Sequence, residues 1–126
     1  DMEQMKDVIA KRPEGFSVLS GDDGVAFELI KNGGNGVISV ASNVIPKEMS
    51  EMVSLALSGN MDEAEKKNAE LAELFEKEFI ETNPIPIKAM LAMKGMIKEV
   101  YRLPICEMGT KNRKIVEELV QKMNLI

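Results

Sequence analysis

The sequence has no histidine and no tryptophan, and only one cysteine, one tyrosine and four phenylalanines. Without histidine there is no imidazole base, no Ser–His or Cys–His nucleophile pair, and none of the usual zinc or haem ligand sets. The lone Cys106 excludes an intrachain disulfide and a Cys-x-x-Cys metal knuckle. It suits a reducing compartment, so a cytoplasmic location is expected, with Cys106 as a packed thiol. No run approaches the roughly 20 apolar residues that span a bilayer. Lys+Arg number 16 against 21 Asp+Glu, a net charge of −5. The basic excess after residue 81 is small and has no interleaved aromatics, so nucleic acid is not an expected partner. Membrane docking is not expected either, because the most amphipathic helices are acidic. What remains is 126 residues, 44% apolar and 29% charged, enough for one domain or part of one. The chain starts at Asp1 with neither initiator Met nor signal peptide, and the expectation is a piece of something longer.

Apolar spacing and breakers outline the elements. Met2, Met5, Val8 and Ile9 predict a helix that Arg12-Pro13-Glu14-Gly15 ends. Phe16–Ser20 reads as a short strand, and Gly21-Asp22-Asp23-Gly24 as a turn opening a second helix. Ala26, Leu29 and Ile30 form its buried stripe, and Asn32-Gly33-Gly34 stop it. Gly36–Ala41 reads as a buried strand of the parallel type. Pro46 sits in the first turn of a third helix lined by Met49, Met52, Val53 and Ala56, which Gly59-Asn60 end. A long helix over Met61–Ile80 follows, with Phe75 and Phe79 on its apolar side. Its other side offers Asp62–Lys66, Glu63–Lys67 and Glu73–Lys77 as i,i+4 pairs. Asn83-Pro84-Ile85-Pro86 breaks the chain before a short helix with Ile87, Met90, Leu91 and Lys94, stopped at Gly95. Arg102-Leu103-Pro104 is expected to be extended, and Thr110 to cap a last helix.

Short apolar strands joined by helices argue for parallel βα units. Two parallel strands are too few for a stable sheet, because each keeps an open edge. The pattern therefore reads as the last part of a larger α/β fold followed by a helical tail. The missing strands precede Asp1 or come from another chain.

Ser20-Gly21-Asp22-Asp23-Gly24 lies at the C-terminal end of the first predicted strand, where α/β barrels build their sites from βα loops. Its carboxylates can serve as acid/base groups, metal ligands or helix N-caps, and the N-cap reading is the plainer one. Gly33-Gly34-Asn35-Gly36 precedes a strand and lacks the phosphate-loop pattern, so it reads as a tight turn. Ser39, Ser42 and Asn43 can bond a polar ligand at the same mouth or cap the local backbone. A Schiff-base enzyme needs a desolvated lysine, and neither predicted strand carries one. Lys88 and Lys94 read as ordinary surface or anchoring groups. The ten methionines read as core filler.

Leu19-Ser20-Gly21-Asp22-Asp23, then Gly33–Val40 with Asn43 following, then Asn83-Pro84-Ile85-Pro86-Ile87-Lys88 and Arg102-Leu103-Pro104, stand in one order and spacing. Taken together they resemble the C-terminal portion of the dihydrodipicolinate synthase family, and the resemblance covers essentially the whole chain. The related N-acetylneuraminate lyases share the fold without typically carrying SGDD together with GVISV. The resemblance implies the last two βα units of a TIM (β/α)₈ barrel, residues 1–59, followed by a C-terminal helical domain, residues 60–126. It implies a lyase of lysine and diaminopimelate biosynthesis that condenses pyruvate with aspartate semialdehyde through a Schiff base.

The lysine that forms the Schiff base would lie on the sixth strand, just upstream of Asp1, so no catalytic residue is expected here and the chain alone is expected to be inactive. Gly21 and Ile38 correspond to residues lining the pyruvate pocket, and Asp22 and Asn43, which sit nearby, are expected to order it. Tyr101 falls in the helical domain and is not the family's relay tyrosine. No metal and no cofactor is expected, and the family implies a homotetramer. Two alternatives stand beside this reading: another pyruvate-dependent lyase of the N-acetylneuraminate lyase kind, and a non-catalytic helical assembly module that completes another chain's sheet.

Overall fold

The structure is a computed structural model and describes residues 1–126. Helix α1 (Met2–Lys11) begins at Asp1, whose carboxylate accepts the Glu3 N–H at 3.0 Å. Arg12, placed before Pro13, turns extended and ends it. Strand β1 (Leu19–Ser20), a 3₁₀ turn (Asp23–Val25) and α2 (Ala26–Lys31) form one βα unit. Strand β2 (Gly36–Val37), a second 3₁₀ turn (Ala41–Asn43) and α3 (Pro46–Leu57) form the next. The strands are parallel, with Leu19 opposite Gly36 and Ser20 opposite Val37. Helices α4 (Met61–Lys77), α5 (Ile85–Met93) and α6 (Thr110–Lys122) complete the chain.

Packing divides the chain into two compact units, Asp1–Ala72 and Glu73–Ile126. In the first, α2 and α3 pack together and bury Phe27, Leu29, Ile30, Met49 and Met52. In the second, α5 and α6 pack together around Ile87, Met90, Val116, Leu119 and Val120. The predicted stop signals act through one geometry. The Gly33 N–H donates to the Ile30 carbonyl and the Gly34 N–H to the Leu29 carbonyl, both at 2.9 Å, with Gly33 at φ 98°. That is a Schellman cap. Gly59-Asn60 close α3 and Gly95-Met96 close α5 with the same pair of bonds.

Several expectations are corrected. The strands are shorter than Phe16–Ser20 and Gly36–Ala41. Each has one neighbour only, and Val40 already has helical torsions. Helix α4 stops at Lys77 and leaves Phe79 46% exposed. Its cations take other partners than the three i,i+4 pairs. Lys66 meets Glu63, Lys67 reaches Glu51 on α3 at 3.0 Å, and Lys77 meets Glu76. Glu73 pairs with Lys122 on α6 at 2.6 Å.

Arg102–Ile105 is a turn around a cis Leu103–Pro104 bond, closed by the Ile105 N–H on the Arg102 carbonyl. Cys106 follows that surface turn and is exposed, whereas Met108 is the residue that packs. Thr110 is the first residue of α6 and not its cap. The N-cap position is Gly109 with no side-chain cap; the Glu81 carboxylate ties the start of the helix by accepting the Gly109 N–H and the Asn112 side-chain amide, each at 2.9 Å.

Candidate functional site

The residues singled out from the sequence meet at the C-terminal ends of β1 and β2. The strand register puts Gly21 and Ile38 side by side, one step beyond the paired residues. The Ile38 N–H donates to the Ser20 carbonyl at 2.8 Å, which continues the ladder to that edge. Ile38 is 68% exposed, and a Cβ added at Gly21 would meet no atom within 4 Å. The edge is therefore open, with bare backbone at Gly21 that a small ligand can approach.

The loop after β1 is built from its own polar groups. The Ser20 hydroxyl donates to the Asp22 carbonyl at 2.6 Å and accepts the Asp22 N–H at 3.1 Å. The Asp22 carboxylate accepts the Gly24 N–H at 2.8 Å and so caps the first 3₁₀ turn. The loop after β2 is likewise self-bonded. Ser39 Oγ accepts the Ser42 N–H at 2.8 Å, and the Asn43 amide donates to the Val40 carbonyl at 2.9 Å. Of the two roles open to Ser39, Ser42 and Asn43, backbone capping is the one these bonds serve. Ser39 and Ser42 also line a cavity of about 380 Å³ with Leu19, Val37 and Met49.

Asp23 joins the two loops. It is fully buried, and its Oδ2 accepts the Val40 N–H at 2.8 Å and the Ala41 N–H at 2.9 Å. In the sequence it was one half of an acidic pair before a helix. Its partners lie 17 and 18 residues further on, and only the parallel pairing of the strands brings them within reach.

The other candidates belong to the second unit. The Lys88 ammonium donates to the Val100 carbonyl and lies 5.0 Å from the centre of the Tyr101 ring. It serves as an anchor in that arrangement. The Tyr101 hydroxyl donates to Glu99 at 3.0 Å. Burial, and then that hydrogen bond, push its pKa well above the ordinary phenol value, which suits a fixed donor and not a proton relay. Arg113 grips the same Glu99 carboxylate with two bonds of 2.7 and 2.9 Å and holds its pKa below the ordinary carboxylate value. No group of three or more Cys, Asp or Glu side chains is placed to hold a metal ion. No helix is long and apolar enough to cross a membrane.

Comparison with known proteins gives a consistent result. The family model described as "Dihydrodipicolinate synthetase family" matches residues 1–123. The 4-hydroxy-tetrahydrodipicolinate synthase of Prosthecochloris aestuarii is 43% identical over 123 residues, 98% of this chain and 41% of that protein. A crystal structure of dihydrodipicolinate synthase from Aquifex aeolicus superposes with a TM-score of 0.97 at 41% identity, over 99% of this chain and 43% of that one. The chloride-inhibited dihydrodipicolinate synthase of Acinetobacter baumannii, solved in complex with pyruvate, gives a TM-score of 0.95 at 33% identity, over 100% and 43%. The chain thus spans about two fifths of the length of the relatives it matches, and its two βα units and helical tail have the architecture of their C-terminal portion.

Proposed function

Because the chain belongs to the dihydrodipicolinate synthetase family, we propose that it supplies the last two βα loops of the pyruvate pocket in a (β/α)₈-barrel lyase. That lyase condenses pyruvate with aspartate semialdehyde through a Schiff base on the route to diaminopimelate and lysine. The observation that carries this reading is the open edge at Gly21 and Ile38, together with a fold that superposes on a family member solved with pyruvate. Gly21 gives pyruvate close access to the backbone, and Ile38 faces the same edge. Asp22 and Asn43 keep their loops in shape. Residues 1–59 belong to the barrel and residues 60–126 to a helical domain.

Neither strand contains a lysine, and Lys88 is committed as an anchor. As the family resemblance implies, the lysine that traps pyruvate is contributed from outside this chain. The intact enzyme works in the cytoplasm, where an exposed unpaired Cys106 stays reduced, and it assembles as a homo-oligomer, a tetramer by family resemblance. A coupled condensation assay tests the reading. The full-length enzyme should consume pyruvate in the presence of aspartate semialdehyde, and residues 1–126 alone should not. Turnover by the short chain, or none by the full-length enzyme, would overturn it.

A further inference from the structure

We infer that Asp23 is a positioning residue of the pyruvate pocket, holding the loop after β2 in place from the loop after β1. The inference rests on the reading that Gly21 and Ile38 line that pocket. Asp22 is exposed and caps its own loop, whereas Asp23 is fully buried and reaches into the neighbouring one. Its Oδ2 receives two backbone N–H groups, from Val40 and Ala41, where the second 3₁₀ turn begins. These are donors that no residue of that turn can satisfy from within. Asp23 thus acts as an N-cap supplied by the adjacent βα loop.

Ile38 lies between two fixed points. Its own N–H is held by the Ser20 carbonyl at 2.8 Å, and the chain two residues later is held by Asp23. Gly21 sits on the segment that links Ser20 to Asp23. One carboxylate and one strand bond therefore tie together the two loops, each of which is otherwise bonded within itself. A buried carboxylate is expensive to desolvate and is offset here by two charge-assisted bonds. An apolar side chain would fill the same space without that cost, but it would leave the second loop untied from the first. Asp23 Oδ1 makes no hydrogen bond, so a single oxygen does the holding. An asparagine can present an equivalent carbonyl oxygen.

The test is steady-state kinetics on the full-length enzyme with Asp23→Ala and Asp23→Asn, each checked for folding by thermal melting. Loss of both bonds in the Ala variant should raise the KM for pyruvate about tenfold or more, the equivalent of one charge-assisted hydrogen bond. The Asn variant should fall between parent and Ala, at about threefold, because a neutral acceptor makes a weaker bond. The KM for aspartate semialdehyde should stay within about twofold. A residue needed only for folding would lower the active fraction, and hence the apparent kcat, without moving either KM. A folded Ala variant with an unchanged pyruvate KM overturns the inference. Where the Ala variant does not fold, an unchanged pyruvate KM in the Asn variant does the same. A parent enzyme with no pyruvate-dependent turnover instead overturns the functional reading beneath it.

Discussion

Replacing the buried Gly34 by alanine should be severely destabilising, although the change is one methyl group in a turn. A Cβ at Gly34 would lie 1.9 Å from Leu29 Cδ2, 2.7 Å from Leu29 Cγ and 2.9 Å from the Leu29 carbonyl oxygen. Neither neighbour can yield cheaply. Leu29 is 1% exposed in the packing of α2, and its carbonyl accepts the N–H of Gly34 itself in the Schellman cap. Expelling the leucine side chain costs about 2–5 kcal/mol, as a buried leucine truncation does. Opening the cap instead frees two backbone carbonyls at about 1 kcal/mol each and shifts the start of β2. Either route costs about 2 kcal/mol or more, against a total stability of about 5–15 kcal/mol for a domain. Urea unfolding of the 126-residue chain, followed by circular dichroism, should show the midpoint falling by about 1–2 M. Gly21→Ala is the control. No atom lies within 4 Å of its added methyl, so stability should move by no more than about 0.5 kcal/mol. A Gly34→Ala midpoint within about 0.3 M of the parent would refute the reasoning.

Glu81→Ala should remove both bonds that tie the start of α6 and destabilise the second unit by about 1 kcal/mol. Glu81→Gln, which keeps an acceptor oxygen, should recover most of that in the same urea titration. The pKa of Glu99 is depressed on folding, chiefly by the Arg113 hydrogen bond. The unfolded chain therefore binds the extra proton first. The contribution of Glu99 is present above the ordinary carboxylate pKa and is lost as pH falls through the lowered folded value. Glu99→Gln should flatten that part of the midpoint-versus-pH curve, and an unchanged curve counts against the pairing. Tyr101 is the only tyrosine and there is no tryptophan, so alkaline absorbance reads it alone. Its raised pKa leaves stability unaffected below the ordinary phenol value and erodes it above. Tyrosinate absorbance should rise only as the chain unfolds, and ionisation in the folded state would contradict the burial.

Elements marked by chain stiffness and backbone freedom were legible from residue order. Gly33, Gly59 and Gly95 each take positive φ where a helix was predicted to stop, and Pro46 starts α3. The alternation of strand and helix pointed to parallel βα units, and the motifs around Gly21 and Ile38 pointed to one family. What escaped was held by distant partners. The strand lengths were overread because an apolar run such as Phe16–Ser20 does not reveal how many residues find a neighbour. The helix α4 ion pairs were misassigned because local spacing ignores Glu51 on α3 and Lys122 on α6. Thr110 looked like a cap, but Gly109 holds that position and its N–H goes to Glu81, 28 residues earlier, which sequence distance does not reveal. Asp23 was hidden for the same reason: its two acceptor bonds exist only once β1 and β2 lie side by side.

The central claim is that this chain shapes a pyruvate pocket whose reactive lysine lies elsewhere. Borohydride reduction in the presence of pyruvate, read by intact mass and peptide mapping, tests it most directly. The account predicts one reduced pyruvate adduct on the full-length enzyme, mapped outside residues 1–126, and no mass change in the chain itself. An adduct on Lys88, Lys94 or any other lysine of this chain would contradict it, as would a full-length enzyme that traps no pyruvate.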